Sequence, residues 1–199
     1  MILLQIGVNN GRDDVQKLVR ENPFEKIIFI EANPYCSELI NESYDFLKER
    51  DTEVHIEYVF IGEDLEEEID FHLPHFETNA TGQACSCSKD FLIREGFKEE
   101  DIKTIKVKSV SLNTIFEKYN LKHVNYIFVD AEGSDYNILK NFDIKKYTFD
   151  QLRFEHGHMS SHEWNFLVDK FYNAGYLDIN NEMVDENGFY QSDTLVKHD

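Results

Sequence analysis

Short apolar runs alternate with segments whose apolar residues recur at helical spacing. Ile2 to Val8 reads as a buried strand ending in a Gly/Asn turn. Asp13 to Glu21 follows with Val15, Leu18 and Val19 on one face and acids in its first turn, the pattern of an amphipathic helix. Lys26 to Glu31 is a second buried strand. Asn33 and Pro34 sit as N-cap and first residue of a helix carrying Leu39, Ile40 and Phe46. Between Glu53 and Phe60, Val54, Ile56, Tyr58 and Phe60 alternate with more polar neighbours, which predicts a third strand.

The stretch from Glu63 to Asp101 is the least regular. Ile69 to Leu73 reads as an edge strand, and Pro74 to Ser88 as a polar loop long enough to be a binding loop or lid. Thr104 to Val110 alternates again, and Ser111 caps a helix bearing Leu112, Ile115, Phe116 and Tyr119. Asn125 to Ala131 is a clear buried strand, followed by a short helix over Ser134 to Asn141. Phe149 to Glu155 is another strand. Ser160 and Glu163 form a capping box for a helix with Trp164, Leu167, Val168 and Phe171. Two strand-like runs, Gly175 to Ile179 and Gly188 to Lys197, close the chain. Strands alternating with helices predict an α/β domain with a mostly parallel sheet. No repeat, low-complexity segment or linker interrupts it, so residues 1–199 read as a single domain.

Composition narrows the class. A hydrophobic fraction of 41% with only 3 Pro and 9 Gly belongs to a folded globular chain. The formal charge of −19 repels phosphate backbones and argues against a nucleic-acid partner. No stretch approaches the ~20 apolar residues that span a membrane. Met1 runs straight into the first core strand, so no targeting segment or N-terminal lid is expected. Cys36, Cys85 and Cys87 are an odd count without a second ligand pair of zinc-like spacing, which suits free thiols in the cytoplasm.

The candidate chemistry gathers where strands give way to helices. In Gln5-Ile6-Gly7-Val8-Asn9-Asn10-Gly11, the two glycines allow a tight turn and let a ligand lie against backbone without a Cβ. Glu31, at the end of the second strand and 20 residues after Gly11, is placed to accept hydrogen bonds from two ribose hydroxyls. These residues alone leave S-adenosylmethionine (SAM) and NAD both open. The spacing is G-x-x-x-G rather than the dinucleotide G-x-G-x-x-G, and Asn9 stands at the middle-glycine position, where a side chain would crowd a pyrophosphate.

The same residues carry a family resemblance. Gln5 to Gly11 is similar to the first motif of FkbM-type SAM-dependent methyltransferases, with Gln5 where the family usually has Asp. Ile30-Glu31-Ala32-Asn33-Pro34 resembles the second motif. Val129-Asp130-Ala131-Glu132-Gly133-Ser134-Asp135, then Ile138-Leu139, resembles the D-x-E-G-x-E signature entering a helix. Ser111-Leu112-Asn113, Arg153-Phe154-Glu155 and Ser192-Asp193-Thr194-Leu195 match further elements in order. Asn113 stands for a common Asp, and Phe128 where Lys is frequent.

The resemblance implies a Rossmann-like class I methyltransferase fold. Its seven-stranded, mostly parallel sheet has strand order 3-2-1-4-5-7-6, an antiparallel last strand and helices on both faces. It implies SAM as cofactor and methylation of a hydroxyl on a sugar or other small molecule. The cofactor-binding candidates are Gln5, Gly7, Asn9, Gly11, Glu31, Asn33, Ile61 and Asp130. For catalysis the candidates are Asp130, at the carboxyl end of the fourth strand, and His156, which follows the fifth and whose side-chain type titrates near neutrality. His158 shares that loop, and Glu132 is expected to hold the turn's N–H groups. Asp130, Glu155 and His156 are the residues that could gather around Mg²⁺, but nothing in the spacing requires a metal and none is expected. The second reading is a catalytically silent SAM- or nucleotide-binding domain that works through partners.

Overall fold

The computed structural model describes residues 1–62, 67–74, 85–182 and 193–197. In chain order the elements are β1 (Ile2–Ile6), α1 (Asp14–Glu21), β2 (Lys26–Ile30), α2 (Ser37–Ser43), β3 (Glu53–Glu57), β4 (Phe60–Ile61), β5 (Glu68–Pro74), α3 (Lys89–Arg94), β6 (Ile102–Val110), α4 (Leu112–Lys118), β7 (His123–Val129), α5 (Asp135–Lys140), β8 (Thr148–Glu155), α6 (Ser161–Asn173), β9 (Asp178–Glu182) and β10 (Asp193–Lys197). The main sheet has the order β3-β2-β1-β7-β8-β10-β9. Its first five strands pair in parallel, and β10 inserts antiparallel between β8 and β9. This is the strand order expected for the class I methyltransferase sheet.

Side-chain alternation splits the core in two. Leu4, Ile6, Ile28, Ile30, Ile127 and Val129 face α4, α5 and α6 through Ile115, Phe116, Leu139, Leu167 and Phe171. Leu3, Ile27 and Phe29 face α1 and α2 through Val15, Val19 and Ile40. Successive strand residues point to opposite faces, so the near-continuous apolar runs of β1 and β2 follow from helices covering both sides. Asp13 caps α1 by accepting from the Gln16 amide. Ser160 and Glu163 form the expected reciprocal box at the start of α6.

The irregular middle of the chain departs from expectation. The strand expected over Glu53–Phe60 is divided, with β3 on the main sheet and β4 in a second sheet of order β4-β6-β5. The edge strand expected near Ile69 is β5, which pairs antiparallel with β6 from Glu68↔Lys108 to Pro74↔Ile102. It therefore joins the smaller sheet rather than the edge of the main one. Most of the expected 74–88 loop, residues 75–84, lies outside the described residues, as does 188–192 of the last expected strand. Phe71, Leu73, Cys85 and Val107 form the small sheet's own core, with Ala32 and Phe60 packed against it. That contact carries the small sheet over the end of β2. Among the described residues no helix is long and apolar enough to cross a membrane.

Candidate cofactor cleft

Where β1, β2 and β7 end side by side, the sheet opens into a cleft enclosing about 570 Å³, its solvent-open side included. Its walls come from Gly7 and Asn9 after β1, Glu31 and Ala32 after β2, Phe60 and Ile61 of β4, and Asp130 to Glu132 after β7. Phe71 and Cys85 close it from the small sheet. The strand ends are laced together: the Gly7 amide donates to the Ile30 carbonyl at 2.9 Å, and the Asp130 amide to the Ile6 carbonyl at 3.1 Å. Ligands of open α/β sheets bind at this carboxyl edge, where the connections diverge.

Gly7 and Gly11 both hold positive φ, +80° and +67°, but neither is glycine for the sake of a ligand alone. A Cβ on Gly7 would lie 1.7 Å from the Asp130 carbonyl oxygen, so Gly7 is what lets β1 and β7 end in contact. A Cβ on Gly11 would lie 2.7 Å from the Tyr44 ring. Gly7 borders the cleft; Gly11 does not.

Glu31 is the best-anchored group in the cleft. It is 7% exposed, one oxygen accepts the Asn9 amide and the other the Asn33 amide, each at 2.7 Å. Burial pushes its carboxyl up in pKa, against the pull of those N–H groups. A carboxylate has about four lone-pair sites; the Asn9 and Asn33 amides take two and the Ala32 amide also draws on the group, which leaves capacity to accept a hydroxyl. Asn9 sits at φ +51°, and its side-chain oxygen is buried with no hydrogen-bond partner. Asn33 lies behind the wall. Its side chain caps the Tyr35 amide and stands 3.9 Å from the Cys85 sulfur.

Asp130 opens onto the cleft. Its surroundings, walled by protein and lined by acids, push its carboxyl up to about 7: burial first, then Glu132, Asp193 and Asp13, with Arg153 opposing. Behind it Asp135, 2% exposed, accepts the Ala131 amide on both oxygens and is raised well above the usual carboxylate range, by burial and then by Asp130 and Glu155.

Besides Gly11 and Asn33, two further expected site residues, Gln5 and His156, lie off the cleft. Gln5 is an odd-numbered residue of β1 and faces α1. Its Nε2 donates to Asp13 at 2.6 Å and its carbonyl accepts from the Tyr44 hydroxyl. An aspartate there would set carboxylate against carboxylate. His156 does not border the cleft. Its Nδ1 is 3.0 Å from Thr194 Oγ1, which also accepts from the Trp164 indole at 2.9 Å. Burial holds the His156 imidazole below its ordinary pKa, with Asp193 opposing. Asn9, Glu31, Gly7, Ile61 and Asp130 do come together in the cleft. Cys85, Phe60 and Phe71 were not foreseen. Phe60 and Phe71 were legible as strand residues but not as walls of this cleft, and Cys85 only as a free thiol.

The acids also decide what the cleft does not suit. The Asp13 carboxylate already occupies the amide end of α1, and Asp14 lies one residue on. Asp14 pairs with Arg153, which holds its carboxyl below the ordinary range. Arg153 also reaches Asp193 at 3.4 Å. A helix N-terminus binds phosphate through free amides and a positive end. Here both are answered by the chain's own acids.

A seven-stranded, mostly parallel sheet of this order with helices on both faces is the Rossmann-like class I methyltransferase fold. The chain belongs to the methyltransferase FkbM domain family, whose pattern matches residues 5–187. It is similar in fold to a Klebsiella pneumoniae protein assigned as an O-methyltransferase, with a TM-score of 0.53 and 11% identity, over 100% of this chain and 73% of that one. No curated protein matches the sequence.

Proposed function

We propose that this methyltransferase uses SAM and methylates a hydroxyl of a small, sugar-like or otherwise hydroxylated acceptor. The observation that carries the cofactor assignment is Glu31, buried, fixed by two amides and still able to accept ribose hydroxyls, beside an α1 N-terminus closed to phosphates. The unpartnered Asn9 oxygen offers a further acceptor to a group that brings its own donor. A pyrophosphate-bearing dinucleotide would meet Asp13, Asp14 and Asp130 instead. A bound SAM supplies a methyl group on a sulfonium that is already a good leaving group.

The chain's own task is then to hold the acceptor, exclude water and move one proton. With SAM bound, Asp130, which opens onto the cleft, would take the O–H proton of an acceptor hydroxyl as its oxygen receives the methyl group. General-base help of this kind is worth ~10²–10⁴ in rate. His156, held by Thr194, supports the loop beside this site. The free thiols Cys36, Cys85 and Cys87 fit a reducing, cytoplasmic setting.

The test is a thermal-shift series with SAM, S-adenosylhomocysteine, NAD and ATP, followed by transfer of labelled methyl to a panel of hydroxylated acceptors. S-adenosylhomocysteine should raise the melting temperature and NAD should not. Glu31→Ala should weaken S-adenosylhomocysteine binding by about 10- to 100-fold, the worth of hydrogen bonds to a charged group. Asp130→Asn should keep binding and lose transfer. Stabilisation by NAD alone would overturn the reading.

A further inference from the structure

At the rim of the cleft three side chains from two neighbouring loops converge. Glu132 comes from the turn after β7, Glu155 ends β8, and His158 follows three residues later. One ligand atom from each lies within 4.8 Å of the other two. The His158 Nε2 stands 3.8 Å from a Glu155 oxygen. That is beyond the ~3.2 Å reach of a direct hydrogen bond. It suits two ligands flanking one ion, since atoms each ~2.0–2.2 Å from a first-row cation stand roughly 3–4 Å apart. The Phe91 ring meets the His158 imidazole edge-on, centroids 5.0 Å apart, and supports it from the side of α3.

We propose that Glu132, Glu155 and His158 form a binding site for a first-row divalent cation of the Mn²⁺ class. Two carboxylates and one imidazole are a borderline-hard donor set, suited to Mn²⁺, Fe²⁺ or Zn²⁺ more than to Ca²⁺. Three protein ligands leave positions for water or a ligand oxygen. Glu132 also lines the cleft, so the ion would sit at its rim. This is not the trio of Asp130, Glu155 and His156 that the sequence suggested. The His156 Nδ1 is turned to Thr194, and Glu132 and His158 come together in place of Asp130 and His156.

The test reads the ion itself, so that its outcome does not depend on methyl transfer. Chelator-treated full-length protein is titrated with Mn²⁺ and followed by electron paramagnetic resonance. One specific site per chain is expected, with a nitrogen coupling from an imidazole in the echo-envelope spectrum. His158→Asn, a change at an exposed position, should abolish that coupling. Glu132→Gln with Glu155→Gln should weaken binding at least tenfold. Glu21→Gln with Glu25→Gln, the same charge change at exposed positions near the opposite edge of the sheet, should leave it unaltered. Equal Mn²⁺ binding by wild type and all three variants, or a spectrum without nitrogen coupling, would overturn the proposal. S-adenosylhomocysteine-induced stabilisation measured on the same samples keeps the two readings separate: stabilisation without the specific Mn²⁺ site defeats the ion site alone.

Discussion

The carboxyl edge of the sheet depends on a few residues with no spare room. Gly7 has both a positive φ and a Cβ position 1.7 Å from a carbonyl oxygen, whereas Gly96, at φ +94°, has nothing within 4 Å of its own. Gly96→Ala should therefore cost only the left-handed conformation, about 1–2 kcal/mol. Gly7→Ala should cost about 3 kcal/mol or more, because the clash must also push β1 and β7 apart. Urea denaturation of both variants checks this, and equal losses would contradict it. That Gly7, Asn9, Glu31 and Asp130 would lie together was legible because turns and strand ends are written locally. That Gln5 and His156 would sit off the cleft was not legible. Which face a strand residue shows, and which hydroxyl an imidazole finds, depends on Asp13 and Thr194, which no local pattern connects to them.

Among the elements, the alternation of strands and helices followed from apolar runs and caps, and the strand order from the family resemblance. The small sheet did not, because β4 is two residues long and its partner β6 lies more than 40 residues away in sequence. α5 and α6 are tied by one side chain: Lys170 Nζ donates to the Leu139, Lys140 and Phe142 carbonyls at 2.7–2.8 Å. These are carbonyls at the C-terminal end of α5, where a cation is favoured. Lys170→Met keeps the apolar stem and removes the donors. It should lower stability by about 1–3 kcal/mol and raise hydrogen exchange at the end of α5. Unchanged exchange there would show that the tie is idle.

At the scale of the whole molecule, the charge of −19 exceeds what solubility needs, and the acids are not evenly compensated. Self-repulsion of this kind destabilises the compact state and is screened by salt. Raising NaCl from about 10 mM to 150 mM shortens the screening length from ~30 to ~8 Å and should raise the melting temperature. A fall would mean that surface ion pairs outweigh repulsion. Three acids, Glu31, Asp130 and Glu132, line the cleft, where a negative field repels phosphate. The account is tested most directly by a crystal soaked with S-adenosylhomocysteine. It predicts ribose density against the Glu31 carboxylate, with the amino-acid end running toward Gly7 and Asp130. Density in any other groove, with Glu31 still bonded only to backbone amides, would contradict it.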